Sequence, residues 1–179
     1  METIVNINGE EVTLKSVGTL PKVYKMYFQR DFFEDLNILK DFEQIIKMLK
    51  GEAELNVFEN VAWVMAKTAN HKLPNLERWK SSFEVFAIKD IIEDIQNILA
   101  LTIGATSKEV SKAKSNTSTK SINTEMYLVL CKECGLQNDD LETMTIGMVL
   151  DYIDEYLKTK NPDKKPKVLE ASQAHFNSF

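Results

Sequence analysis

The chain has 179 residues, of which 44% are apolar, and a chain of this length and composition can bury a hydrophobic core without cross-links. Its six glycines and four prolines exclude a collagen-like fibre and supply too few turns for a sandwich of many short strands, so we expect helices to predominate. The net charge of −5 disfavours a dedicated nucleic-acid-binding protein, which normally presents a basic face.

Neither a membrane-spanning helix nor a secretory signal is expected. The sequence nowhere contains 18 consecutive apolar residues, and its beginning, METIVNINGE, has neither a basic segment nor an apolar one. We therefore expect a cytoplasmic protein that does not bind a membrane.

The charge is distributed unevenly along the chain. Residues 1–105 carry 12 basic and 16 acidic side chains, and residues 106–121 carry four basic and one acidic. Residues 122–157 carry one basic and eight acidic side chains, and residues 158–179 carry five and two. Two acidic segments are thus each followed by a basic one, which predicts folded pieces alternating with extended ones.

Residues 1–104 are predicted to form a helical domain that begins with a β-hairpin. Val5 precedes the dipeptide Asn8-Gly9, and Val12 and Leu14 follow it. Asn-Gly tolerates the positive φ angles of a type I′ turn, so the dipeptide predicts a tight hairpin.

Apolar residues at helical spacing occupy most of the remainder of this domain. Pro21 is predicted to stand near the start of the first helix, Gly51 after the second, and Pro74 in the loop that follows the third. The predicted apolar runs extend from Val23 to Phe28, Leu36 to Leu49, Glu54 to Asn70, Leu76 to Phe86 and Ile88 to Ile103.

Two segments follow the helical domain. Residues 105–121 are rich in Ser, Thr and Lys and almost without large apolar side chains, so they are predicted to be a flexible linker. Residues 122–160 are predicted to be a small acidic domain of two or three helices, with Thr145 as the N-cap of the last helix. About 40 residues is near the lower limit for independent folding, so this domain is expected to need a partner surface or the rest of the chain.

The pair Cys131 and Cys134 is the one arrangement with the form of a chemical motif. Zinc requires four ligands, and the sequence offers neither a second cysteine pair nor a nearby histidine. Both cysteines lie late in a predicted helix beside Glu133, which raises thiol pKa values rather than lowering them. With His71 in a loop and no nucleophile or phosphate-binding motif in the sequence, we expect no enzyme, no metal and no cofactor; a small thiol-dependent enzyme is the weaker alternative.

The helices of residues 124–157 resemble a helix-turn-helix in outline. The second helix, however, carries Asp151, Asp154 and Glu155 where a DNA-reading helix needs basic and amide side chains. We therefore expect no specific binding to nucleic acid, and a DNA-binding or regulatory adaptor protein of a prophage is kept as the alternative function.

Three regions resemble the tail assembly chaperones of long-tailed phages and prophages of Gram-positive bacteria. The first is the hairpin and the helices after it, the second is the region from Gly135 to Asp151, and the third is the terminus, in which His175 and Asn177 stand where acidic residues are usual. The residues that carry the resemblance are Ile7–Val12, Tyr24–Asp31, Val61–Lys67, Glu77–Trp79, Phe83, Gly135, Leu136, Leu141, Met144–Asp151 and Ala171–Phe179.

The resemblance implies a non-structural assembly factor of the host bacterial cytoplasm. Members of this family coat the tape measure protein, keep it soluble and bring the major tail tube protein to it. The resemblance is to the long form with an appended C-terminal domain, and a second copy of the chain is a further candidate partner.

Eight residues are predicted to bind partner proteins. Apolar side chains of the helical domain would hold the helical tape measure protein, and the acidic face of the last helix would hold the tail tube protein. Residues 161–179 are predicted to be an extended basic tail whose aromatic tip also docks. The predicted binding residues are Trp63, Met65, Trp79, Asp151, Asp154, Glu155, Phe176 and Phe179.

Overall fold

A computed structural model of the chain describes residues 1–40, 47, 50, 51, 55–103 and 122–160. These residues confirm the predicted fold class, a mainly helical protein with an N-terminal hairpin. The strands are β1 (Glu2–Ile7) and β2 (Glu10–Lys15), and a 3-10 turn occupies Ile88–Ile91. The α-helices of the described residues are α1 (Leu20–Phe28), α2 (Phe32–Lys40), α3 (Asn56–Ala69), α4 (Leu76–Lys80), α5 (Ile92–Ile103), α6 (Thr124–Glu133), α7 (Asn138–Thr143) and α8 (Ile146–Lys160).

The hairpin turns at the Asn-Gly dipeptide that predicts it. Asn8 and Gly9 have φ angles of 50° and 90°, in the left-handed region that a two-residue turn requires. The two strands pair antiparallel, with Val5 opposite Val12. Val5 and Leu14 are buried, and β2 packs against α3, so the hairpin closes one side of the core.

Helix α3 is the centre of the fold. It contacts β2, α1, α2, α4 and α5. A helix with neighbours on every side is buried around most of its circumference instead of presenting a polar face to water. Its buried residues are Val57, Phe58, Asn60, Val61, Ala62, Trp63, Val64, Met65, Ala66 and Thr68.

Residues 122–160 pack against the elements that precede them. The backbone N–H of Gly18 donates to the carbonyl oxygen of Met144 at 2.8 Å, and the Tyr127 hydroxyl donates to the carbonyl oxygen of Gly18 at 2.9 Å. The described parts of the two predicted domains, residues 1–104 and 122–160, contribute to one cluster of buried side chains. The rest of the chain therefore supplies the surface that so short a segment needs.

The first turn of α2 is joined to the first turn of α6 by Asp31. One carboxylate oxygen accepts the backbone N–H groups of Phe33 and Glu34, and the other accepts that of Thr124 at 2.6 Å. The Thr124 hydroxyl in turn accepts the N–H of Phe32. Burial alone would raise the pKa of Asp31, but these N–H donors, Thr124 first among them, favour the charged form and lower the pKa below its usual value.

The start of α8 also follows the sequence prediction. The Thr145 hydroxyl oxygen accepts the N–H of Met148 at 3.3 Å, which satisfies a donor in the first turn as an N-cap does. The predicted helix from Leu36 to Leu49 coincides with α2 as far as Lys40. Apart from residue 47, which is helical, the rest of that predicted helix lies outside the described residues, as do the predicted linker at 105–121 and the predicted tail at 161–179.

Candidate protein-binding surfaces

Three predicted binding residues of the helical domain are buried. Trp63, Met65 and Trp79 are 1%, 0% and 4% exposed, so the folded protein does not present them to a partner. Their assignment to a docking surface is therefore corrected: they belong to the core. Helical spacing showed that they lie on apolar faces, but it could not show that other helices cover those faces.

The two tryptophans order the loops around α3 and α4. The Trp63 indole N–H donates to the carbonyl oxygen of Pro74 at 2.9 Å, which fixes the loop that Pro74 was predicted to form. Trp79 packs against Phe83 and Phe86 with ring centroids 5.5 and 5.2 Å apart, in edge-to-face geometry. Both side chains thus stabilise the fold.

The three predicted acidic residues share an exposed face of α8 with two large apolar side chains. Met148 and Tyr152 are 53% and 48% exposed, whereas Val149 and Ile153 of the same helix are buried. We call this surface the α8 face. It consists of Met148, Asp151, Tyr152, Asp154 and Glu155.

Ion pairs hold part of the α8 face in place. The Lys158 ammonium lies 2.6 Å from a carboxylate oxygen of Asp154 and 3.7 Å from one of Glu155. These pairs are exposed and contribute little to stability, but they limit the conformations of both acidic side chains. The surface presents two large apolar side chains beside three carboxylates.

Helix α6 carries a second exposed apolar pair. Met126 and Val129 are three positions apart and therefore lie on one face, and both are exposed. Tyr127 and Cys131 on the opposite face are buried. We call Met126 and Val129 the α6 pair.

A basic groove, which the sequence did not predict, lies between the β2–α1 connection, the end of α3 and α7. Its volume is about 220 Å³. Met26 and Tyr27 on α1 are 62% and 50% exposed at its edge. We call this surface the lysine groove, and its principal lining residues are Lys15, Lys22, Lys67, Val23, Met26 and Tyr27.

Two of the three lysines bond to neutral oxygens. The Lys22 ammonium donates to the side-chain oxygen of Asn138 at 3.0 Å, and that of Lys67 donates to the carbonyl oxygens of His71 and Leu73. No carboxylate among the described residues pairs with either lysine. The groove therefore keeps positive charge that a bound acidic group can neutralise.

Two acidic side chains, Glu2 and Glu142, also lie near the groove. Lys15 pairs with Glu2 at 3.6 Å. Glu142 is part of the lining and accepts a hydrogen bond from Asn138 at 2.8 Å. His71, predicted to be a loop histidine, lies at the edge of the groove.

The cysteine pair lies in a setting that keeps its thiols protonated. Cys131 is buried and Cys134 half-buried on α6. Burial raises the pKa of Cys131 to about 11, and burial and the charge of Glu133 raise that of Cys134. Among the described residues no group of three or more His, Cys, Asp or Glu side chains is placed to hold a metal ion.

Phe176 and Phe179 lie outside the described residues, so their predicted docking role stays a prediction. The described helices include none long and apolar enough to span a membrane. The comparisons with known proteins identify no relative: no protein-family model matches the chain, and neither a curated protein nor a solved structure does so.

Proposed function

We propose that this protein is a tail assembly chaperone that binds the tape measure protein and recruits the major tail tube protein during phage tail assembly. The observation that carries the proposal is the apolar surface of residues 122–160. Of the 11 large apolar side chains exposed among the described residues, five belong to this short segment. A surface so rich in exposed Met and Tyr side chains supports protein binding.

The composition of this surface suits helical clients. Methionine is flexible and polarisable, so it packs against many different apolar side chains. A tape measure protein is a long helical chain with an apolar stripe, and such a stripe packs on exposed apolar side chains of other helices. The family resemblance of the hairpin and of the segments Tyr24–Asp31 and Met144–Asp151 supports the same function.

In the proposal each of the two exposed surfaces of this segment binds a different client protein. The α6 pair consists of aliphatic side chains and contacts the apolar stripe of the tape measure protein. The α8 face adds three carboxylates to Met148 and Tyr152, and it contacts the tail tube protein. Recruitment then consists of holding the two clients on neighbouring helices of one chaperone.

Co-expression tests the proposal. The tape measure protein of the same phage or prophage is produced alone, with this protein, and with a variant that carries Met126→Asp and Val129→Asp. We expect a soluble complex with the unaltered chaperone and a large loss of soluble tape measure protein with the variant. Val85→Asp, an exposed apolar site outside residues 122–160, is the matched control. A tape measure protein that stays equally insoluble in all the co-expressions contradicts the proposal.

A further inference from the structure

We propose that residues 161–179 fold back along α8 and cover the α8 face of the same molecule. The contact lies within one chain, so it requires neither a phage protein nor a second copy and goes beyond the proposed function. The chemistry of the face, the order of the side chains in the segment and the point at which the segment leaves α8 carry the inference.

The α8 face combines apolar area with carboxylates that a lysine-bearing segment can reach. Met148 and Tyr152 are large apolar side chains about half exposed to solvent. Asp154 and Glu155 pair with Lys158 of the same helix, and exposed pairs of this kind are weak and exchange readily with other lysines. A segment that carries lysines beside aliphatic side chains therefore complements the face.

Residues 161–179 have this composition. Three lysines occur within residues 164–167, and two aliphatic side chains, Val168 and Leu169, follow them directly. Asp163 and Glu170 flank this stretch, so the three lysines leave the segment net basic. Long-range attraction to the acidic α8 face is therefore favourable.

The direction of the chain brings matching groups together. A segment that turns back after α8 runs antiparallel to it, so it passes Glu155 and Asp151 before it reaches Met148. The segment presents its lysines first and its aliphatic side chains second. The carboxylates of the face thus meet the lysines, and Met148 meets Val168.

The length of the segment is sufficient for this path. Helix α8 has 15 residues, which span about 22 Å at 1.5 Å per residue. An extended chain advances by about 3.3 Å per residue, so about seven residues cover the whole helix. Pro162 cannot continue the helix in the ordinary way, and Asn161 and Asp163 beside it are residue types common in turns.

The covalent connection makes a weak contact sufficient. Lys160 ends α8, and the segment follows it directly. A short tether of this kind raises the effective concentration of the segment at the face to about the millimolar range. A few exposed ion pairs and a small apolar contact therefore cover the face for much of the time.

The contact makes the α8 face self-masking. A protein that binds this face must first displace residues 161–179, so a weak or non-specific apolar partner is excluded more strongly than a specific one. Only the identity of the competing partner, the tail tube protein, rests on the proposed function. The contact itself is tested with this chain alone.

Zero-length cross-linking of the full chain is the test. A water-soluble carbodiimide joins lysine amines to carboxylates that touch them, and mass spectrometry identifies the joined residues. We expect the lysines within 164–167 to link to Asp151 or Glu155 at least about tenfold more than the lysines within 105–121, which serve as the internal control. In a mixture of isotope-labelled and unlabelled protein, these links are expected to join peptides of the same label.

Paired variants test the apolar half of the contact. Val168→Ser with Leu169→Ser removes no group that can be cross-linked, yet it is expected to lower the yield of the tail links several-fold, because Met148 loses its partner. The matched control, Ala171→Ser with Ala174→Ser, alters residues beyond the stretch that spans α8 and is expected to leave the yield unchanged. Equal yields from the two groups of lysines, links that join unlike labels, or an unchanged yield in the first variant overturns the inference.

Discussion

The substitution Tyr127→Phe measures how firmly α6 is attached to the rest of the fold. Tyr127 is fully buried, and its hydroxyl donates to the carbonyl oxygen of Gly18 at 2.9 Å, across 109 positions of sequence. Phenylalanine keeps the ring but removes this bond and leaves a buried carbonyl group without that donor. The expected loss in the free energy of unfolding is about 1–3 kcal/mol.

Denaturant unfolding followed by circular dichroism gives this quantity directly. In a chain of this size the same loss lowers the melting temperature by roughly 2–12 °C. The matched control is Tyr152→Phe, because Tyr152 is exposed and its replacement is expected to change stability by less than about 0.5 kcal/mol. If Tyr127→Phe were as neutral as the control, the packing of α6 on the Gly18 loop would be refuted.

Three further predictions test other parts of the fold. A Cβ atom at Gly18 would lie 2.9 Å from a Val149 methyl group and 3.0 Å from the Leu141 carbonyl oxygen. Gly18→Ala is therefore expected to destabilise the protein by about 1–3 kcal/mol in thermal melts. An unchanged melting temperature would contradict this close approach. Burial above all raises the pKa of Tyr24 and of Tyr127, so the folded state retains their protons. The protein is therefore expected to lose stability as the pH rises above the usual tyrosine pKa of about 10. Absorbance at 295 nm should show that these two of the five tyrosines ionise only when the protein unfolds. Cys131 is expected to react with Ellman's reagent only when the protein is unfolded in denaturant, and Cys134 is expected to react slowly in the folded protein, because both thiols have raised pKa values. Rapid reaction of both cysteines in the folded protein would contradict this prediction.

Local signals in the sequence predicted the individual elements well. Asn8-Gly9 fixed the hairpin because the turn needs positive φ at both positions, and Thr145 marked the start of α8 because its hydroxyl can accept a first-turn N–H. Such signals depend on neighbouring residues alone, so they can be recognised without knowledge of the fold.

The packing of residues 122–160 could not be predicted in the same way. It depends on contacts between distant residues, such as Tyr127 with Gly18 and Thr124 with Asp31, and neither periodicity nor charge records them. A change in charge along the chain was interpreted as a boundary between domains. In the structure the acidic residues of this segment lie outward, while its buried apolar residues, such as Tyr127, Ile146 and Val149, complete the common core.

The binding surfaces were predicted only in part. Asp151, Asp154 and Glu155 are exposed as the helical pattern indicated, whereas the exposure of Met148 and Tyr152 on the same helix was not predicted. Trp63 was misassigned because aromatic residues are common both in cores and in interfaces. The lysine groove combines side chains from β2, α1 and α3, so only the folded chain brings them together.

Capture of the tail tube protein by the α8 face tests the central claim most directly. The immobilised chaperone is titrated with purified tail tube protein, using the unaltered chain, the variant with Met148→Ser and Tyr152→Ser, and the Val85→Ser control. We expect the unaltered chain and the control to bind equally, and the α8 variant to bind at least about tenfold more weakly. Equal binding by all three proteins, or no binding by the unaltered chain, would contradict the account.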